Sequence, residues 1–542
     1  MQSVSSFVYT FFLILLCILS STSAIISLLF FYPPRYFRVE TDIFQNSRDK
    51  NNFETKESYE MSQFSQLLTD HIHNKDVKVY TLAQYCNIER ANMYKFINGT
   101  RVPSSFDLVL KICNFMQLSP SEKDALIEAY QIVQIGAENY YRRKQVALFL
   151  KNFSIPNHAL PLLRPYETPI KMQSNVTLLH SEVEVNHALT GIFSSEFAKK
   201  DGHIRLLIQP DHEFLMNVLA IGYQNPSVKV EHIICLDNTN TEPVSGQNYN
   251  LYCLQKILPL YGCLYQYDCS YYYENIDSRF GKLTLFPYMV LTSNFACILT
   301  ADMQKGYVTS EPSSLQMFSD LFEEYLKKTF SLMKPMDNLF IQFQAMQELA
   351  EQNIPVHTLQ LSPCLTPLLT SELLDKYIIQ DLPDRAVFIQ MLTEYIRQLY
   401  HSDTPLNLDS VFSINGIRHF MEHGYLDEYP RDIYTPLDPA DRISVLKKLI
   451  LSFNTYHYRI LKEDICSFEH ELYLVISQQN GFLCFTNPHN HRLIYLDIKE
   501  PGFIFTFLDY YEHLDDNLFF SNSESVEKLR ELLDEYSQKK DK

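Results

Sequence analysis

The 542-residue sequence contains no tryptophan and only 13 glycines. The closest two glycines, Gly416 and Gly424, stand eight positions apart. A dinucleotide fingerprint needs glycines two and three apart, and a phosphate-cradling loop needs two of them five apart. Neither pattern can be placed here, which removes most ATPases, GTPases and nicotinamide-dependent oxidoreductases. The eleven cysteines include no C-x-x-C pair, so a structural zinc site is not expected. Their scatter through apolar runs such as His232–Cys235 reads as buried thiols in a reducing compartment. No second histidine follows His212-Glu213 at zinc-protease spacing, and no G-x-S-x-G elbow exists. His489-Asn490-His491 has no Cys or carboxylate at ligand spacing beside it and reads as a surface loop.

What is present is a long chain with enough apolar surface to fold. Its length suits three or four domains, and 46% hydrophobic against 20% charged residues excludes a disordered bulk. The net charge of −18 excludes a chain that coats nucleic acid along its whole length. Charge is unevenly spread. Residues 62–153 hold 11 Lys/Arg against 8 Asp/Glu and form the only net-positive block, whereas residues 154–542 hold 30 against 50.

The first sixty residues admit two readings. Phe7 to Tyr32 is almost wholly apolar or small, long enough to span a bilayer core of about 30 Å. Arg35 and Arg38 follow it, so the positive-inside tendency would hold everything downstream in the cytoplasm. Alternatively, Lys56-Glu57 precedes Met61 at the distance of a purine-rich ribosome-binding site, and residues 1–60 are then a mis-assigned start. The codons at 56–57 distinguish the two. Either way the bulk of the chain is expected to be cytoplasmic, membrane-anchored only if residues 1–60 are genuine.

From Met61 the pattern is helical. Phe64, Leu67, Leu68 and Ile72 mark a first amphipathic helix. Thr81–Tyr85 is a short second helix with Thr81 as its expected N-cap, followed by a turn in which Asn87 suits a left-handed backbone. Glu89–Ile97 is a third helix, stopped by Asn98-Gly99. A fourth carries Phe106, Val109, Leu110 and Cys113 on its expected inner face. Ser119-Pro120-Ser121-Glu122 opens a fifth with a proline near its start and an acid in the first turn.

The run Thr81-Leu82-Ala83, Tyr85, Asn87-Ile88, a nine-residue helix and Asn98-Gly99-Thr100-Arg101-Val102-Pro103-Ser104 resembles the phage-repressor (Cro-type) helix-turn-helix family. That family has a Leu-Ala pair, a Gly-Val turn, a recognition helix and an Asn-Gly-x-Arg-x-Pro-Ser close. The sequence departs from it at Asn87, where glycine is usual. The resemblance covers about 60 residues closely and about 90 loosely. It implies that Glu89–Phe96 enters the major groove of double-stranded DNA, with Thr81, Glu89, Arg90, Ala91, Asn92, Tyr94, Lys95, Asn98 and Arg101 as DNA-binding residues. Arg90 would pair with guanine, Asn92 with adenine and Ala91 with a thymine methyl. Lys95 and Arg101 would clamp phosphates. Arg142-Arg143-Lys144 is either a basic face on a connecting helix or a backbone contact. The family's habit implies a homodimer on paired half-sites. The stretch Ala125–Phe153 either bridges two protomers or is a packed strut inside one.

Ile155-Pro156 and Leu160–Pro165 read as a linker. Beyond it, β-like runs at Val176–Leu179, Ile204–Gln209 and Val230–Leu236 alternate with helical stretches at Glu182–Phe197 and Phe214–Tyr223. That is a βαβαβ pattern. Further strands are expected at Lys282–Leu291, Phe295–Thr300 and Tyr307–Thr309, then a helix from Ser313 to Phe330. The Tyr-rich run Tyr265–Tyr273 reads as strand and edge packing. Val308–Tyr325 echoes Phe520–Tyr536, which suggests two related α/β halves, although shared capping chemistry would produce the same echo. Paired halves of this kind resemble phospholipase D-like folds, some of which serve regulators as ligand-sensing domains. The catalytic H-x-K-x4-D motif of those folds is absent, and no site carries over.

The expected fold class is multidomain: an all-α five-helix DNA-binding domain followed by a large α/β (α+β) effector region. The expected divisions are 1–60, 61–153 (helix-turn-helix), 154–170 (linker), 171–335 (α/β effector domain), 336–455 (mainly helical) and 456–542 (C-terminal α/β). The expected function is a bacterial, sequence-specific DNA-binding transcriptional regulator, not an enzyme, with no cofactor and no metal. Its expected partners are double-stranded DNA, a second copy of itself, and a small-molecule or protein effector. The alternatives are an enzyme with an appended helix-turn-helix and a protein-interaction module that does not bind DNA.

Overall fold

The computed structural model describes residues 61–155, 175–222, 225–238, 248–276, 284–336, 338–401, 407–453, 455–468, 471–487 and 491–540. The apolar run Phe7–Tyr32, most of the 154–170 linker and His489-Asn490 lie outside the described residues. Among the described residues, no helix is long and apolar enough to cross a membrane. Met61–Lys542 forms one compact unit.

Six helices open it: α1 (Gln63–Asn74), α2 (Val79–Tyr85), α3 (Arg90–Ile97), α4 (Phe106–Phe115), α5 (Pro120–Ile135) and α6 (Ala137–Asn152). The five-helix expectation becomes six because Gly136, at φ +84°, breaks the long C-terminal stretch in two. Phe64 and Leu68, one turn apart on α1, are fully buried with Leu82, Met93, Val109, Ile112 and Leu126 in a small core of their own. Helix α5 opens at Ser119 as expected, and Ser119 and Glu122 additionally form a reciprocal cap there. Phe106, expected inside, is exposed at the first position of α4, and Leu108 takes the buried place. The N-terminal turn of a helix projects beyond its packing partner, so periodicity extended to its first residue overshoots.

The first half of the remainder runs β1 (Val176–Leu179), α7 (Glu182–Phe197), β2 (His203–Leu207), α8 (Glu213–Gly222), β3 (Lys229–Asp237), α9 (Tyr249–Tyr261), β4 (Gln266–Glu274), β5 (Tyr288–Leu291), β6 (Ala296–Leu299), β7 (Gly306–Thr309), α10 (Pro312–Leu326) and β8 (Phe330–Ser331). Its sheet order is β1-β7-β6-β5-β2-β3-β4-β8. Strands β2, β3 and β4 pair in parallel and the others antiparallel. In the Tyr-rich run, Tyr265, Tyr267 and Tyr271 are buried along β4, while Tyr273 reaches out to hydrogen-bond the Glu500 carboxylate.

The second half runs β9 (Met333–Pro335), α11 (Leu339–Glu351), β10 (Val356–Leu359), α12 (Ser371–Tyr377), α13 (Arg385–Tyr400), β11 (Leu408–Ser413), α14 (Ile414–His423), α15 (Pro439–Ser452), β12 (His457–Leu461), β13 (Leu472–Ile476), β14 (Gly481–Thr486), β15 (Leu493–Ile498), α16 (Pro501–Glu512) and α17 (Asn522–Lys540). Its order is β12-β11-β10-β13-β14-β15-β9. Read from the other edge this is the order of the first half, strand for strand, with β8 as the only addition. Residues 336–455, expected to be mainly helical, thus contribute β10 and β11 to a sheet completed by 456–542. Those two strands are short and flanked by long helices, so their period-2 signal is weak.

The sequence echo pairs the wrong helices. By topology α10 corresponds to α16, and each starts on a Glu-Pro pair. Glu311 accepts hydrogen bonds from the backbone N–H of Ser313 and Ser314, and Glu500 from those of Gly502 and Phe503. Helix α17, which resembles α10 in sequence, packs instead on α15. Both carry two serines near their first turn, which is enough to make them look alike.

Helix α6 is a strut inside one chain. It lies against α16 of the second half and α9 of the first. Val146, Phe149, Leu150 and Phe153 join the core shared by both sheets, with Phe149 on Phe507 and Phe153 on Phe485. Its basic run is consumed by the protein itself. Arg142 and Arg143 both grip Asp509 of α16, at 3.1 and 2.9 Å, and Lys144 pairs with Glu128 at 2.7 Å. These cations therefore do not form a free basic face.

Asp509 is only 10% exposed, and removing it leaves Arg143 without its carboxylate beside Arg142, which keeps Glu138 at 3.2 Å. Asp509→Ala should lower resistance to urea by about 3 kcal/mol and make α6 the first site of proteolysis. A loss under about 1 kcal/mol in urea unfolding would show that Phe149 and Phe153 seat the helix unaided.

Candidate nucleic-acid interface

The α2-turn-α3 unit is held by backbone conformation at two residues. Asn87 adopts φ +54°, which turns the chain sharply and lets the Ile88 N–H reach the Ala83 carbonyl at 3.0 Å. Gly99 adopts φ +75°, ends α3, and lets Arg101 N–H return to the Lys95 carbonyl at 3.2 Å. Met93 and Phe96 fix the inner side of α3 against the helical core, and Ile88 and Ile97 flank them. Thr69 ties the end of α3 to α1 through the Ile97 carbonyl.

This leaves a polar side turned outward. Glu89, Arg90, Ala91, Tyr94, Lys95, Asn98 and Arg101 are all exposed, as is Thr81 on α2. Asn92 departs from the expectation: it is half-buried, because it lies beside Met93 at the edge of the packed side. Thr81 is not the N-cap. Lys78 occupies that position, and the Thr81 hydroxyl donates to the Lys78 carbonyl at 2.7 Å from inside the first turn. Helix α2 starts two residues earlier than its sequence pattern suggests, since Val79 and Tyr80 sustain the turn. Lys78 and Tyr80 are therefore exposed on the same module, and the sequence reading passed over both. A cation four residues before the Leu-Ala pair was the available signal.

Arg90 is pre-positioned. Its guanidinium donates to the Tyr94 hydroxyl at 3.2 Å and lies 5.3 Å from the centre of that ring, one turn along the same helix. Five N–H donors in a planar fork leave four for another partner. The guanidinium thus presents a planar donor array on the exposed side of α3, with Lys95 exposed on the same helix.

Residues 68–122 match the family model of the Cro/C1-type HTH DNA-binding domain. That match takes in α2, the turn, α3 and α4, and lies in the N-terminal part of the chain. No curated protein matches the sequence. Among solved structures, that of TrmBL2, an archaeal chromatin protein described as showing a novel mode of DNA binding, aligns at 9% identity over 50% of this chain and 95% of that chain. Its TM-score is 0.17, so the likeness carries no argument about fold or function. The helix-turn-helix points to DNA binding.

The left-handed turn makes a local prediction. Asn87→Gly should leave thermal stability unchanged or slightly raised, whereas Asn87→Val should lower it by about 1–2 kcal/mol. Equal melting temperatures for the two variants would show that the turn relaxes to another conformation.

Proposed function

We propose that this chain is a sequence-specific DNA-binding transcriptional regulator in which α3 reads the major groove and the α/β halves serve as a sensing region. The observation that carries this reading is the exposed side of α3, where Arg90 is braced on Tyr94 within a segment matching the Cro/C1-type HTH model. Arg90 reads guanine, and Ala91 touches a thymine methyl. Lys95 and Arg101 hold phosphates, with Thr81, Glu89, Tyr94 and Asn98 lining the contact. Asn92, half-buried, reads adenine only from the edge of the contact. The protein binds as a homodimer on half-sites about one helical turn apart, and an effector, small molecule or protein, sets its affinity.

Charge supports the same reading. The acidic body is repelled by a duplex, which leaves the net-positive module as the part that approaches it. Asp509 keeps Arg142 and Arg143 out of contact with DNA, so specificity rests on few cations.

Selection of bound sequences from a random duplex pool with the full chain, followed by gel shifts at 50 and 200 mM salt, tests the proposal. Affinity should fall steeply with salt, and Lys95→Ala should shallow that dependence by about one counter-ion. Arg90→Ala should cost about 1–3 kcal/mol on the selected site and relax preference at one base pair. Failure to enrich any sequence, with no salt-sensitive shift, would favour a protein partner for the helical module.

A further inference from the structure

A cavity of about 190 Å³ opens at the carboxyl end of β10 in the second half. Its position follows from topology. Strand β9 lies at one edge of the sheet and β11 and β12 at the other, so the direction of winding reverses at β10. Open α/β sheets leave a crevice at such a reversal, outside the strand ends. Gln360, the first residue after β10, and Glu471, the last before β13, both line it. Gly416 lets α14 close one wall: a Cβ there would stand 1.9 Å from the Leu361 carbonyl oxygen.

Two polar groups in this cavity are built but not used. Gln360 is 4% exposed, and its amide nitrogen has no hydrogen-bond partner among the described residues. A buried donor left in that state loses its hydration without compensation, so a partner is expected. Its counterpart in the first half, Gln209 at the end of β2, is fully occupied. With its amide oriented to suit its neighbours, Gln209 exchanges hydrogen bonds with the backbone of Cys235 at 2.9 and 3.2 Å and meets the Tyr249 hydroxyl at 3.3 Å. The second unused group is Glu471. One of its oxygens accepts from the backbone N–H of Leu361 at 2.6 Å and of Ser362 at 3.2 Å, and the carboxyl lines the cavity.

The charged neighbours do not hold the Glu471 carboxyl ionised, so it keeps its proton at pH 7 and would release it on meeting a cation. Arg431 is committed to Asp427 at 3.5 Å and stacks over Tyr425. His419 stacks on Phe468, and burial pushes its imidazole below its ordinary range, so it is neutral at pH 7. Burial, with the charge of Asp427 and then Glu428, pushes the Glu471 carboxyl up to about 8. Glu428 is itself closed off by Leu365 N–H and the Thr366 hydroxyl. Among the described residues no group of three His, Cys, Asp or Glu is placed to hold a metal ion. Tyr473 gives the cavity an aromatic wall. Arg431, His491 and Leu493 also line a neighbouring cavity of about 620 Å³.

We propose that this cavity binds a small organic ammonium compound, of amino acid or amino alcohol size, that carries a hydrogen-bond acceptor beside its amine. The ammonium group donates to Glu471, the acceptor takes the Gln360 amide hydrogen, and the remaining carbon packs on Tyr473. The volume sets the size, since an apolar cavity of about 150 Å³ holds one benzene. That such a ligand is the effector rests on the regulator reading given above; that it binds does not.

The test is thermal unfolding of the full chain, without DNA, against the twenty amino acids and ethanolamine at 10 mM, with glycerol and acetamide as neutral controls. At least one ammonium compound should raise the melting temperature by about 3 °C. Glu471→Gln, which keeps an oxygen for the two backbone N–H groups, should weaken that ligand at least tenfold. Gln360→Ala should weaken it about tenfold without lowering the melting temperature of the unliganded chain, which keeps the test valid should the first variant fold poorly. No shift with any amine, an equal shift with the neutral controls, or undiminished binding in Gln360→Ala would overturn the proposal. Binding that leaves affinity for the selected duplex unchanged would overturn the effector role alone.

Discussion

Three charged side chains decide how the helix-turn-helix module sits on the rest of the protein. Arg142 and Arg143 of α6 converge on Asp509 of α16, and the three are between 10 and 17% exposed. An ion cluster buried to that degree contributes little net stability, because desolvation offsets most of its Coulomb energy. Adhesion comes from Phe149 and Phe153, which bury their rings against Phe507 and Phe485. What the charges add is registry: an apolar helix face tolerates sliding by a turn, whereas two guanidinium groups meet one carboxylate in a single setting. Since α6 also touches α9, both halves bear on the helix that continues into the helix-turn-helix core.

The helical module was legible in the sequence because its determinants are local. A left-handed residue at 87, a stop at Gly99 and a reciprocal cap at Ser119 and Glu122 each act within five residues, and each leaves a residue-type signature. The errors fall where a distant partner decides. Nothing near Arg142 announces that Asp509, 366 residues or more away, will occupy it. Asn92 is half-buried through its place beside Met93 on the packed edge of α3, which helical spacing alone does not weigh. Thr81 looked like a cap because capping residues also sit well inside a first turn, where the hydroxyl donates back to a carbonyl.

In the α/β region, alternation of β and α signals located most strands of the first half, because β2 alternates buried and part-buried positions and β3 carries the apolar run Ile233–Leu236, although β5 starts only at Tyr288. The second half was obscured. Its parallel strands β10 and β11 are four and six residues long, and long helical insertions separate them. Its repeat of the first half is topological, carried by strand order and by paired Glu-Pro helix starts, and strand order is not a property of any sequence window. The cavity was illegible for the same reason. Gln360 and Glu471 are brought together by the pairing of β10 with β13 across more than a hundred residues.

The comparison of the two halves also bears on what that cavity is for. Both place a glutamine just beyond the strand at which the sheet reverses. In the first half Tyr249 and the Cys235 backbone satisfy it, and the segment before β5, Thr284–Pro287, contains no acid. In the second half, among the described residues, no tyrosine satisfies the glutamine amide, and Glu471 lines the same cavity, anchored by two backbone N–H groups. A fold needs its buried amides paired and its buried acids neutralised. The first half pairs its glutamine with its own residues; the second leaves the Gln360 amide unpaired and neutralises Glu471 only by retaining its proton, between walls set by Gly416 and the His419–Phe468 stack. An unfilled requirement in a rigid setting is what distinguishes a site prepared for a ligand from a packing defect, which would have relaxed around the missing contacts.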